Sequence, residues 1–177
     1  MNQVLKFAAY ILLTGTIFIV SCQKEISNQK QKDEKLSSAS PNANAETPPF
    51  NIEVILRGEG KRFGHVKFRQ DVDPAKIIIL GTRVHDLEPN HQYLLQRAVD
   101  AINVVDGNCT STTWLTLGKG LTPQSILTDD NGKGQEELWR DVSSVAAGSK
   151  FDIRFRIIDA VSMTVILDSD CYQYVVR

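Results

Sequence analysis

Apolar and polar positions divide this chain into three unlike stretches. Residues 7–20 form a nearly continuous apolar run of about 14 residues, preceded by Lys6 and followed by the small residue Ser21. A basic flank, a short apolar centre and a small residue at its end predict a secretory signal over residues 1–21. The run is shorter than the ~20 residues a membrane-spanning helix needs. From 23 to 49, Ile26 and Leu36 are the only large apolar residues among Gln, Lys, Ser, Asn, Ala and Pro. Such a segment cannot bury enough surface to offset the entropy of ordering, so residues 22–49 are expected to be a disordered tether. As a flexible coil it has a root-mean-square reach of ~30 Å.

From Phe50 the pattern changes to period two, and residues 50–177 are expected to form one domain. Residues 50–57 alternate and then become apolar, and Gly58-Glu-Gly60 turns the chain into a second strand carrying Phe63, Val66 and Phe68. After the turn at Asp71-Val-Asp-Pro74, the run Ile77-Ile-Ile-Leu80 predicts a strand buried on both faces. Residues 92–102 read as another strand. The stretch from Tyr93 to Ile102 also suits a short helix, but its neighbours are strands and it lacks a convincing N-cap. Further strands are expected over 112–117, 125–128, 150–158, 163–167 and 171–176. Asp129-Asp-Asn-Gly-Lys-Gly134 is a strong hairpin signal, because Asn-Gly tolerates positive φ. In residues 150–158, Phe151, Ile153, Phe155 and Ile157 are expected inward, with Asp152, Arg154 and Arg156 outward. About nine short strands with regular turn signals predict an all-β fold, an antiparallel Greek-key β-sandwich.

Composition and charge narrow the function classes. Removing residues 1–21 from 177 leaves 156, the size of one ordinary domain. A net charge of −1 and a pI near 6.3 supply no strongly basic surface for nucleic acid or anionic lipid.

Cys22 adds a localisation. Ile19-Val20-Ser21-Cys22 resembles the lipobox of bacterial lipoproteins, with Ile19 in place of the usual Leu, a variation common in the Bacteroidota. Gln23-Lys24-Glu25 resembles the Gln-Lys-acidic tag with which that group sends lipoproteins to the cell surface, although such tags usually hold more acidic residues. The resemblance implies fatty-acyl chains (palmitate) on Cys22 and a place in the outer membrane facing the exterior, or alternatively the periplasm. One acyl chain gives only marginal attachment at ~0.8 kcal/mol per buried methylene, whereas the two or three implied here hold permanently.

Two cysteines remain. An exported protein meets an oxidising compartment, so Cys109 and Cys171 are expected to form a disulfide. The alternative is a catalytic thiol with a histidine base, which no Cys-His motif supports.

The domain also resembles superoxide-dismutase-like and immunoglobulin-like sandwiches, in the stretches 84–93, 128–134 and 148–153. A dismutase site needs a His-x-His pair, which this chain lacks; its three histidines are His65, His85 and His91. His85, Asp86, Glu88 and His91 are the weak candidates for a metal site on one loop. A calcium reading of the Asp129 loop fails, because alignment on Gly132 puts Leu127 and Leu138 at the first and last ligand positions. Trp114, Trp139, Tyr172 and Tyr174 suit either a sugar- or peptide-binding face or cross-strand packing. Asn108-Cys-Thr110 matches a glycosylation acceptor, a code read by eukaryotic machinery that this leader does not imply.

The sequence therefore predicts a lipid-anchored envelope protein acting as a non-catalytic binding module for a protein or glycan, without a cofactor. A metal-assisted enzyme using His85 and His91, or an assembly subunit of an envelope complex, are the alternatives.

Overall fold

The computed structural model describes residues 50–177. Cys22, the signal segment and the tether lie outside the described residues. Within them every regular element is a strand. The chain runs through β1 (Phe50–Arg57), β2 (Phe63–Gln70), β3 (Ile77–His85), β4 (Gln92–Val99), β5 (Leu115–Thr116) and β6 (Gly118–Lys119). It continues through β7 (Thr122–Pro123), β8 (Ser125–Leu127), β9 (Gly134–Asp141), β10 (Lys150–Asp159), β11 (Val165–Ser169) and β12 (Tyr172–Val175).

The fold is all-β, but the pairing departs from two separate layers of about nine strands. Twelve strands share one sheet ordered β5-β4-β10-β11-β1-β2-β3-β9-β6-β7, with β12 also on β10 and β8 also on β4. The sheet nearly closes on itself. β8 bonds to β4, and the bridge Thr128–Gly134 then carries the chain to β9. Residues 115–120 cross the same gap further along, with Leu115 opposite Arg97 on β4 and Lys119 opposite Trp139 on β9. That last pairing is parallel, so the sheet is mixed. On the far side β11 spans from β10 to β1, joined to β1 through Leu56–Ser169 and Arg57–Asp168. Closure removes most of the free edge that an open sheet exposes.

Alternation puts one face of each long strand inside. Val54, Leu56, Val66, Phe68, Leu80, Val84, Leu95, Leu138, Ile153, Phe155, Ile157 and Leu167 are all buried. The run at Ile77 to Leu80 is not buried on both faces as predicted: Ile78 and Leu80 point in, while Ile77 and Ile79 are half-exposed on the outer face. Among the described residues no layer packs over that face, so the apolar run has only one dry side.

Residues 92–99 resolve as a strand, and the chain turns at Asp100, leaving Ile102 exposed. The Asp129 motif makes the expected hairpin. Gly132 sits at φ 68°, and the Asp129 carboxylate accepts the N–H groups of Asn131 and Lys133, which lowers its pKa. Gly132 allows no substitute, since a Cβ there would lie 2.1 Å from the Leu87 carbonyl oxygen. The strand after this hairpin, β9, carries no clear alternation in sequence, because Leu138 is its only buried residue.

Cys109 and Cys171 are bonded, with Cα atoms 5.5 Å apart. The bond pins the loop after β4 beside β12. Asp152 faces outward on β10 as expected, yet it is buried, because this loop folds over it. Its carboxylate accepts the N–H groups of Asp106 and Gly107 at 2.8 and 2.9 Å. Asp100 fixes the other limb by accepting from the N–H groups of Thr110 and Ser111.

Candidate functional site

A concavity with a volume of about 730 Å³ lies on the outer face of β1, β2, β3 and β9. Register explains its shape. Three cross-strand rows make up its floor: Asn51-Arg69-Ile79, Glu53-Lys67-Gly81-Glu137 and Arg83-Gln135. In the middle row Gly81 contributes no side chain, so a trough opens between Lys67 and Glu137. A Cβ at Gly81 would meet only Lys67 Cβ, at 3.9 Å. The missing side chain is therefore not demanded by packing.

Charge is arranged in stripes across this groove. Lys67, Arg69 and Arg83 on the two central strands are basic, and Glu53 on β1 and Glu137 on β9 flank them with acid. His65 is the cross-strand neighbour of Arg83 outside the lining, half-buried between Ile55 and Arg83. Burial, partly offset by Glu53, holds its pKa below the ordinary 6.5. The ring is thus uncharged at neutral pH. An array of opposite charges over apolar Ile79 can orient an extended polar ligand.

The structure does not bring His85 and His91 into one ligand set. Among the described residues no group of three or more His, Cys, Asp or Glu side chains is placed to hold a metal ion. His85 and His65 both face the ring of Phe63, with centroids 6.3 and 6.2 Å away. His91 instead donates from Nε2 to Asp159 at 2.5 Å, and its Nδ1 lies 4.0 Å from Glu88. Asp86 is exposed at φ 56° in the turn before Leu87.

Asp159 is the organiser of that corner. Its carboxylate accepts the N–H groups of Ser162 and Val161, closing the β10–β11 hairpin, as well as the His91 ring. Those hydrogen bonds hold its pKa down from 3.8 to about 2. A depressed carboxylate stabilises the fold fully above about pH 4 and loses that contribution as pH falls through about 2. Asp159→Asn is therefore expected to lower Tm by a few degrees at pH 7 and to flatten the decline of Tm between about pH 4 and pH 2. Thermal melts of both proteins across that range check it; parallel acid curves would contradict the assignment.

The four aromatic candidates do not share a face. Trp114 lies outside, under the guanidinium groups of Arg156 and Arg154 at 3.9 and 4.9 Å from its ring centroid. Trp139 is exposed on β9 and covers Gly120. Tyr172 is half-buried and accepts the Ile55 N–H. Tyr174 belongs to the core and donates to Gln70 at 2.7 Å. Asn108 is exposed on the disulfide-held loop.

Two residues that shape the concave surfaces carry weak sequence signals. Gly81 follows four apolar residues within one strand, where glycine marks a bulge or a close approach. Arg97 falls on the inward phase of β4, in line with Tyr93 and Leu95. Its position shows only once the register of that strand is known. Comparison of the chain with protein-family models, with curated proteins and with solved structures finds no match.

Proposed function

We propose that this chain is a lipid-anchored outer-membrane protein, held through Cys22 and facing the cell exterior, whose domain binds a protein or glycan without catalysis. The observation that carries the binding reading is the 730 Å³ groove over Gly81, with its basic centre and acidic flanks. Its polar walls favour an extended protein segment over a sugar, because no exposed aromatic ring lines the groove for a sugar to stack on. Lipid attachment and outward presentation rest on Ile19-Val20-Ser21-Cys22 and Gln23-Lys24-Glu25. The finer description of the domain as an immunoglobulin-like or superoxide-dismutase-like Greek-key sandwich belongs to the same proposal. It is supported by the antiparallel pairing of β1, β2, β3 and β9 in one run and of β4 and β12 with β10 in another.

Cross-linking on intact cells, followed by mass spectrometry of co-purified proteins, tests the reading with two variants. Gly81→Phe fills the trough without a backbone clash and replaces a strand glycine by a strand-favouring residue. It is expected to leave stability unchanged or slightly raised and to lower partner capture by on the order of tenfold. Cys22→Ala is expected to lose fatty-acid labelling and membrane attachment. Undiminished capture by Gly81→Phe removes the groove from the proposal, and label retained by Cys22→Ala removes the anchor.

A further inference from the structure

A second cavity, of about 180 Å³, opens between β4 and β9 beside the 115–120 crossing. Its walls are apolar. Phe68, Phe155 and Tyr174 supply aromatic faces, and the buried side chain of Leu117 roofs it. Two arginines stand among these walls, Arg97 on β4 and Arg140 on β9. Arg140 donates to the Gly120 carbonyl at 3.2 Å. Among the described residues no acceptor engages the Arg97 guanidinium; burial and then the like charge of Arg140 disfavour its cation, and Tyr174 acts in the opposite sense. Ile102, 56% exposed, provides an uncovered apolar lip at the opening.

Folding does not account for this arrangement. A half-buried guanidinium without a counter-ion costs free energy, and a second one nearby raises the cost. Both charges are compensated at once by an anion entering between them. The cavity's size bounds the rest of such a ligand, since an apolar cavity of about 150 Å³ takes up one benzene. A guanidinium fork matches a carboxylate with two parallel hydrogen bonds. We propose that this cavity is a binding site for a small carboxylate with a ring-sized apolar body, the carboxylate held by Arg97 and Arg140 and the body packed against Phe68, Phe155 and Tyr174. The site is separate from the Gly81 groove and stands or falls independently of it.

The probes are 3-phenylpropionate and its neutral amide, titrated into the ¹⁵N-labelled full chain and followed by amide chemical shifts. The acid is expected to saturate with shifts centred on Val99, Leu117 and Tyr174, at a Kd lower than the amide's by at least about tenfold. Arg97→Met keeps an apolar stem and is expected to bring the acid to the amide's affinity while leaving the amide unchanged. Arg140→Gln serves as the second variant, should Arg97→Met lose its dispersed spectrum, and is expected to weaken the acid several-fold without affecting the amide. Equal binding of acid and amide, an acid preference that survives the folded variants, or shifts confined to Lys67, Arg69 and Arg83 would each overturn the assignment.

Discussion

Replacing Cys109 and Cys171 together by Ser is expected to destabilise the domain by about 4 kcal/mol. The bond closes a loop with a sequence separation of 62, and the chain-entropy relation gives about 4 kcal/mol for a loop of that length. Geometry adds a reason for the native state to suffer too. Without the bond, the loop over Asp152 is held by hydrogen bonds alone, chiefly those of Asp106 and Gly107 to the Asp152 carboxylate. Asp152 Oδ1 already lacks a partner. Loosening the loop admits water to a buried carboxylate. Urea unfolding of the double variant and the parent, both followed by fluorescence, measures the effect. A higher m-value should accompany the lower midpoint, because an uncrosslinked unfolded chain exposes more surface. A loss below ~1 kcal/mol would show that the bond is incidental to the fold.

Phe155→Ala is expected to cost about 3–5 kcal/mol. Phe155 is fully buried in the middle of β10, the strand that pairs with β4, β11 and β12. Its ring meets Phe68 at 6.1 Å between centroids, and Phe68 in turn meets Tyr174 at 4.8 Å and Phe50 at 5.8 Å. These contacts tie β10 to β1, β2 and β12 across the interior. Truncation therefore leaves a cavity that rigid neighbouring strands cannot collapse to fill. Phe151, half-buried near the start of β10, is the internal control and should cost markedly less when truncated. The comparison by chemical denaturation is direct. Similar losses at both positions would mean that the core is not centred on Phe155.

The strand over residues 92–102 was favoured over a helix from its strand neighbours, and it ends at Val99. The hairpin at Asp129 and the inward set Ile153, Phe155 and Ile157 were legible from local chemistry alone. Each depends on a turn residue or on alternation, and both act over a few neighbouring positions. Strand β9 was not legible, because its single buried residue, Leu138, leaves no periodicity. The two-sided burial expected for Ile77 to Leu80 failed for a related reason. An apolar run reports hydrophobicity, whereas burial on a second face requires another layer, and none packs there. The candidate sites follow the same division. Paired in sequence by their spacing, His85 and His91 are directed to different neighbours, Phe63 and Asp159.

By itself, the sequence determined that the domain is all-β, that its turns fall at the Gly and Asn-Gly positions, and that two cysteines were available for one bond. Period-two alternation and turn chemistry are properties of adjacent residues, so they survive without knowledge of the rest of the chain. Tertiary structure alone decided that the sheet nearly closes, that Gly81 lies between Lys67 and Glu137, and that Arg97 and Arg140 meet at one cavity. Those outcomes depend on which strands pair and in what register, and shifting a pairing by one residue turns every side chain to the other face. Long-range register comes from the summed packing of all strands, a quantity that no local stretch of sequence contains.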